Sequence, residues 1–349
     1  MKKNYIFSEV VNLTLKEIMK SNSKTVLFGL GVDDPKGIFG TTKDLKEIYG
    51  KKRVFDMPAS ENAMTGVAIG MSLNKMIPIM NHQRMDFFLL AMDQLINNAA
   101  KWKYMFGGQQ KTPIIIRLIV GRGWGQGPTH SQNFQNMFAS VPGLKIYIPS
   151  FPSTIRNILH AAIKSSDPVL IIEHRWLHYM NEKIDFKIKP KKIDCIKKIK
   201  NGKDLTIISS SYSTFEILKL YDDLKKNNIS IEHLDINSLK PFNMDLLYNS
   251  VKKTGKLLIL DNSVHKYCSF GSHLIAELVS RKKNIFKREP VNLNLPDIPT
   301  PTSYHLSKYF YYNSEDICKE IGKLLNKKIT LPKNIHKHDI PDPKFRGPF

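Results

Sequence analysis

The 349-residue chain has only three cysteines, Cys195, Cys268 and Cys318, far apart and with no CxxC pair. That excludes a disulfide framework and a cysteine-built zinc site, and it predicts three reduced, mostly packed thiols. Long apolar runs are missing as well: no stretch approaches the roughly 18–20 residues needed to span a bilayer. The amino terminus, Met1-Lys2-Lys3-Asn4-Tyr5, lacks an apolar signal core, so the expected location is cytoplasmic. Acidic residues are scarce, with Asp+Glu at 31 against Lys+Arg at 53, a formal net charge of +22. Such a field attracts polyanions. The lysines, however, are spread singly or in pairs and accompany no RNA- or DNA-binding module, so nucleic-acid binding is not expected.

What is present reads as two alternating α/β units. Apolar positions at helical spacing (Val10, Leu13, Leu15, Ile18, Met19) predict a helix over 6–20. Strands follow at 25–29, 53–58, 77–80, 114–120, 144–148 and 169–173. Between them fall helices at 44–50, 63–73, 86–104 and 153–165, with Ser60 as a helix cap. The lysine-rich stretch 181–203 breaks the pattern and reads as a connection. A second set of strands (205–209, 231–234, 256–260, 291–295) alternates with helices at 214–227, 243–252, 271–281 and 314–326. The expected fold class is therefore α/β, two doubly wound domains with mainly parallel sheets. The expected boundaries are 1–185, a linker at 186–203, 204–329, and an extended tail at 330–349 that carries four prolines.

Open α/β sheets bind ligands at the carboxyl ends of their strands, and three residues sit beyond such ends. Glu61 opens a helix rich in small residues. Phe87 opens the helix after the strand at 77–80. His130 closes the loop "GRGWGQGPTHSQ" at 121–132, where four glycines alternate after a buried strand. That loop has neither the GxGxxG nor the GK[ST] spacing of a phosphate cradle, so its role is to position His130. Taken singly, Glu61 is as well explained by the helix macrodipole and Phe87 by the core; together they form an acid, aromatic and histidine set.

The stretches "MPASENAMTGVAIG" (57–70), "MDFFLLAMDQLINNAAKWKYMFGGQ" (85–109) and "GPTHSQNF" (127–134) resemble the beta subunit of thiamine-diphosphate-dependent 2-oxo acid dehydrogenases. The resemblance runs over about 5–328 and includes "INSLKPFNMDLLYNSVKKTGKLLILDN" (236–262). It implies a transketolase-like pyrimidine-binding domain and a transketolase C-terminal domain. It also implies a role for each site residue. Glu61 matches the glutamate that bonds the aminopyrimidine nitrogen of the cofactor and favours its imino tautomer, the base for the thiazolium carbon. Phe87 matches the aromatic packed on that ring, and His130 the histidine that serves substrate or the incoming lipoyl group.

The family's diphosphate and magnesium are held by a GDG…N motif on an alpha subunit, and this chain has no GDG. The implied partners are thus that alpha subunit in an α2β2 assembly, a lipoyl acyltransferase, and a small 2-oxo acid. A structural potassium site, held largely by carbonyls, is implied near Ile114, Ala162, Ile163, Ser165 and Asp167, with Ser165 standing where an Asp is usual. Asn81-His82-Gln83-Arg84 and the pair Arg122 and Trp124 depart from the better-known members. Arg84 or Arg122 would bind an extra carboxylate or phosphate on the substrate, or pair with acids on the alpha subunit. A non-lipoyl acceptor and an inactive basic scaffold are the rival readings.

Overall fold

A computed structural model describes residues 2–122, 125–263 and 267–330. The chain forms two compact units. One holds the residues up to Val120 together with Met137–Ile193; the other holds Gly121–Asn136 and the chain from Asp194 onward.

In the first unit, strands β1 (Lys3–Ile6), β2 (Thr25–Gly29), β3 (Val54–Asp56), β4 (Ile77–His82), β5 (Ile115–Val120), β6 (Lys145–Tyr147), β7 (Val169–His174) and β8 (Asn181–Ile184) follow in chain order. The main sheet has the order β6-β7-β5-β4-β2-β3, parallel throughout. Every residue of β2, β5 and β7 is buried, as a parallel sheet covered on both faces requires. The helix Phe7–Ser21 buries Phe7, Val10, Val11, Leu15, Ile18 and Met19 and packs against the helix Pro152–Ala162.

The second unit contains β9 (Ile196–Lys200), β10 (Leu205–Ser210), β11 (Ile231–Ile236), β12 (Ser238–Lys240), β13 (Leu257–Leu260) and β14 (Val291–Leu293). Its sheet has the order β14-β13-β10-β11-β9, with β9 antiparallel to β11 and the other pairs parallel. Leu205, Ile207, Ile231 and Leu258 form its core with Ile217, Phe310, Ile317 and Ile321 from the helices.

Four local readings change. The stretch 181–203, expected as a connection, carries β8, which pairs with β1, and β9, the edge of the second sheet. The helix expected over 86–104 is a succession: an α-turn at Met85–Phe88, a 3₁₀ turn at Leu89–Ala91, a π segment at Gln94–Ala99 and an α-helix at Ala100–Met105. Apolar spacing identifies the buried face but not a one-residue change in the turn. A helix at Tyr304–Phe310 lies between the expected strand at 291–295 and the expected helix at 314–326, where no element was expected. Ser60 stands at the N-cap of its helix, but its side chain accepts no capping bond.

The polar knot of the first unit lies inside its sheet. Arg117 of β5 donates to both Glu173 carboxylate oxygens, at 2.6 and 2.8 Å, and to Asn81 Oδ1 at 3.0 Å and Thr41 Oγ1 at 3.3 Å. The Arg117 and Glu173 side chains are 1% and 0% exposed, and His178 Nε2 lies 3.3 Å from the same carboxylate. Burial alone would raise the Glu173 carboxyl; the Arg117 charge and hydrogen bonds, with His178, bring it down to about 2. Burial holds His178 down at about 4, and it pushes His82 and His233 down to about 3.

Removing one partner of a buried pair strands the other charge. Arg117→Met is therefore expected to cost about 3–5 kcal/mol in urea unfolding of the first unit, and Arg117→Met/Glu173→Leu much less than that single change. The pH dependence has a definite sign. Between the ordinary histidine value of 6.5 and the folded values of about 3–4, the unfolded chain binds protons that the folded chain refuses at His82, His178 and His233. Stability should fall as pH drops below 6.5, by up to ~1.4 kcal/mol per unit for each imidazole. Glu173 adds a further loss between 4.5 and about 2. Thermal melting across this range checks the slope; a flat profile from pH 6.5 to 4 would contradict it.

Candidate functional site

The carboxyl edge of the first sheet is built by close backbone approach. A Cβ on Gly29, at the end of β2, would lie 2.2 Å from the Asn81 carbonyl of β4. The loop that follows is pinned by Asp56, at the end of β3, whose carboxylate accepts the backbone N–H groups of Gly31, Val32 and Asp33 at 3.0, 2.5 and 3.1 Å. Asp56 is thereby committed to structure. Glu61 is the first residue of the helix Glu61–Leu73 and is only 7% exposed. Its carbonyl accepts the Thr65 hydroxyl at 2.8 Å. Its carboxylate has neither a hydrogen bond nor an ion pair among the described residues, so the positive helix terminus is its local support. Phe87 lies in the turn Met85–Phe88, which packs against the same helix. Met85 and Phe88 are fully buried there, whereas Phe87 is 38% exposed. Glu61 and Phe87 thus share one edge: a buried carboxylate with an open hydrogen-bonding capacity and an aromatic with ring surface to offer. Both suit a flat heteroaromatic ring whose nitrogen can share a proton with a carboxyl.

Arg84, close to Phe87 in sequence, is buried, donates to the Gln83 carbonyl at 2.8 Å and stacks 5.8 Å from the Phe39 ring, which Arg175 approaches at 4.2 Å. Burial lowers Arg84, with Asp86 opposing and Arg175 adding to the shift. His82, given no role from sequence, is 1% exposed, lies 4.9 Å from the Phe88 ring, and has no hydrogen-bond partner on either nitrogen among the described residues. Its signal in sequence is only its place at a strand end.

The glycine loop is held by the second unit. Arg122 is buried with its guanidinium 5.0 Å from the Tyr212 ring and 4.6 Å from the Tyr311 ring, and its charge helps hold the Glu216 carboxyl below its ordinary value, where Lys219 acts more strongly against burial. Asn133 and Asn136 donate to the Asn262 carbonyl at 3.4 Å and the Ser263 hydroxyl at 2.6 Å. Gly127 has a φ of +61°, and a Cβ there would stand 2.2 Å from Thr302 Oγ1. His130 ends the short turn Gly127–Thr129, half-buried, with Nδ1 2.8 Å from Thr129 Oγ1. Trp124 lies outside the described residues, as does the tail from 331.

The five positions expected to hold potassium lie in the first unit, around the turn before β7. The Ile114 carbonyl accepts from Val169 at 2.9 Å, and the Ala162 carbonyl from Ser165 at 3.0 Å. Lys103 and Lys145 place ammonium groups 2.9 and 3.3 Å from the two Asp167 carboxylate oxygens. Burial would raise that carboxyl, but the two lysines more than offset it and hold it below its ordinary value.

The family comparisons agree with this architecture. The transketolase pyrimidine-binding domain matches residues 4–179, and the transketolase C-terminal domain matches residues 195–317. The chain thus has the two-domain make-up of the transketolase-like proteins. More narrowly, it belongs to the family of pyruvate dehydrogenase E1 component beta subunits. It is 33% identical to "Pyruvate dehydrogenase E1 component subunit beta" of Porphyra purpurea, over 95% of this chain and 99% of that one. It is 31% identical to "Acetoin:2,6-dichlorophenolindophenol oxidoreductase subunit beta" of Cupriavidus necator, over 86% and 89%. A rice homologue, from Oryza sativa subsp. japonica, 32% identical over 84% of this chain and 73% of its own length, is named chloroplastic. Among solved structures, "Split gene transketolase, inactive beta4 tetramer" superposes with a TM-score of 0.73 at 22% identity, over 92% of this chain and 99% of that one, a likeness of fold. No helix among the described residues is long and apolar enough to cross a membrane.

The tight approach at Gly127 makes a local prediction. Gly127→Ala should destabilise the second unit by about 1–3 kcal/mol, from the left-handed φ and the Thr302 clash together. Thr302→Ala in that background should recover the clash but not the backbone cost, as read by urea unfolding.

Proposed function

We propose that this chain is the beta subunit of a thiamine-diphosphate-dependent 2-oxo acid dehydrogenase, contributing the pyrimidine-binding half of the active site. The observation that carries the reading is the buried Glu61, whose carboxylate has no partner among the described residues, beside the part-exposed Phe87, in a chain of this family. Thiamine diphosphate, when bound, supplies the carbanion-stabilising chemistry that cleaves the bond to the carboxylate of a 2-oxo acid. Glu61 shares a proton with the ring nitrogen of the pyrimidine, a role open to a carboxyl because it accepts a hydrogen bond when ionised and donates one when protonated. Phe87 packs on that ring. His130 acts on the substrate or on the acyl group as it leaves for a lipoyl carrier.

Diphosphate and magnesium fall to an alpha subunit in an α2β2 assembly, since this chain has no GDG motif. A partner is also supported by a run of exposed apolar residues on one segment of the first unit, Leu90, Tyr104, Met105 and Phe106, with Tyr104 91% exposed. We assign a lipoyl acyltransferase as the acceptor component and the cytoplasm as the compartment. Arg84 and Arg122 are committed to aromatic faces of their own units, which weighs against a free arginine reading an extra anionic group on the substrate.

The test is Glu61→Gln in the chain co-purified with its alpha subunit. Hydrogen–deuterium exchange at the reactive cofactor carbon should slow by at least about 10²-fold, the lower end of the range for general acid–base catalysis. Assembly by size-exclusion chromatography should be unchanged. Exchange at the native rate would overturn the role of Glu61. Decarboxylation assayed with and without a lipoylated carrier tests the acceptor.

A further inference from the structure

A potassium ion is retained in a protein when oxygens replace its hydration shell. At the turn 165–167 the side-chain oxygens already serve ammonium groups. Lys145, the first residue of β6, places Nζ 2.9 Å from Ser165 Oγ and 3.3 Å from Asp167 Oδ2. Lys103, from the helix Ala100–Met105, places its Nζ 2.9 Å from Asp167 Oδ1 and 3.0 Å from Ser166 Oγ. The Ser165 hydroxyl donates its proton to the Asp167 carbonyl at 2.9 Å. It accepts from Lys145 and from the Asp167 N–H at 3.1 Å, so its single donor and both lone pairs are used. Two ammonium groups around one carboxylate leave the cluster one positive charge in excess, and a further cation there is repelled. The charge of this cluster therefore does not fit a bound monovalent ion.

We propose that this chain has replaced the structural cation with lysine ammonium groups, Lys145 above all, and that the first unit is stable without potassium. Lys145 and Lys103 do what an ion would do: they gather a strand, a helix and a turn onto shared oxygens. The tethered charge cannot be diluted away, so the cross-link has no dissociation equilibrium with the medium. The inference concerns the fold of the first unit and is independent of the reaction assigned to the chain.

The experiment is thermal melting of the full chain in potassium chloride against tetramethylammonium chloride at equal ionic strength. The wild-type Tm is expected to be the same in both salts. A rise specific to potassium would overturn the proposal. In Lys145→Met/Ser165→Asp the ammonium is gone and a second carboxylate is supplied. That variant is expected to gain a potassium-specific rise of roughly 2–4 °C at saturating ion. A folded double variant blind to potassium would show that Lys145 is not what displaces the ion, and would also overturn the proposal. Should the double variant fail to fold, the wild-type comparison decides alone.

Discussion

The bidentate pair between Arg117 and Glu173 sets the terms for the first unit. Arg117 stands opposite Asn81 in β4, and Glu173 stands opposite Ile119, two residues further along β5. All three polar side chains therefore share one face of a sheet whose interior is otherwise apolar. A slip of one residue would turn Arg117 to the other face and leave a buried carboxylate without its counter-charge. Apolar strands such as Ile114–Val120 and Val169–Ile172 pack almost equally well in neighbouring registers; the ion pair does not. Its value is thus selection of one alignment more than net stabilisation, since desolvation consumes much of the attraction.

That alignment reaches the functional edge through short covalent paths. Asn81 bonds Arg117 and also presents the carbonyl against which Gly29 closes. Thr41, another partner of Arg117, has its carbonyl held by Asn12 of the opening helix at 3.2 Å. The loop after β2 is therefore fixed at both ends, by Asp56 and by the Thr41 contacts. Glu61 and Phe87 emerge from strands held in this frame. The same frame fixes where their side chains stand.

Much of this was legible in the sequence because strand–helix alternation and apolar spacing are one-dimensional signals. The strand at 25–29 and the helix at 314–326 were readable to within a residue. The candidate acid and aromatic were readable from their places beyond strand ends and from the resemblance. Two kinds of feature were not. A π segment adds a residue to a turn without disturbing the spacing of Leu95 and Ala99, so the pattern cannot register it. Edge strands such as β1, β8 and β9 are held by pairing partners far away in the chain, and their lysine-rich composition hides them. The commitment of Arg122 to Tyr212 and Tyr311, about 90 and 190 residues distant, belongs to the same class of long-range fact.

The glycine loop has one more consequence. Gly121–Asn136 is carried in the middle of the first unit's chain yet packs as part of the second. The polypeptide passes between units three times, at about 120, 136 and 193, and not once. A cut at Ile193 would therefore part Arg122, Gly127 and Asn136 from the unit they pack with. In chain order each unit thus interrupts the other once, so the division by packing and the division by sequence family fall at different places.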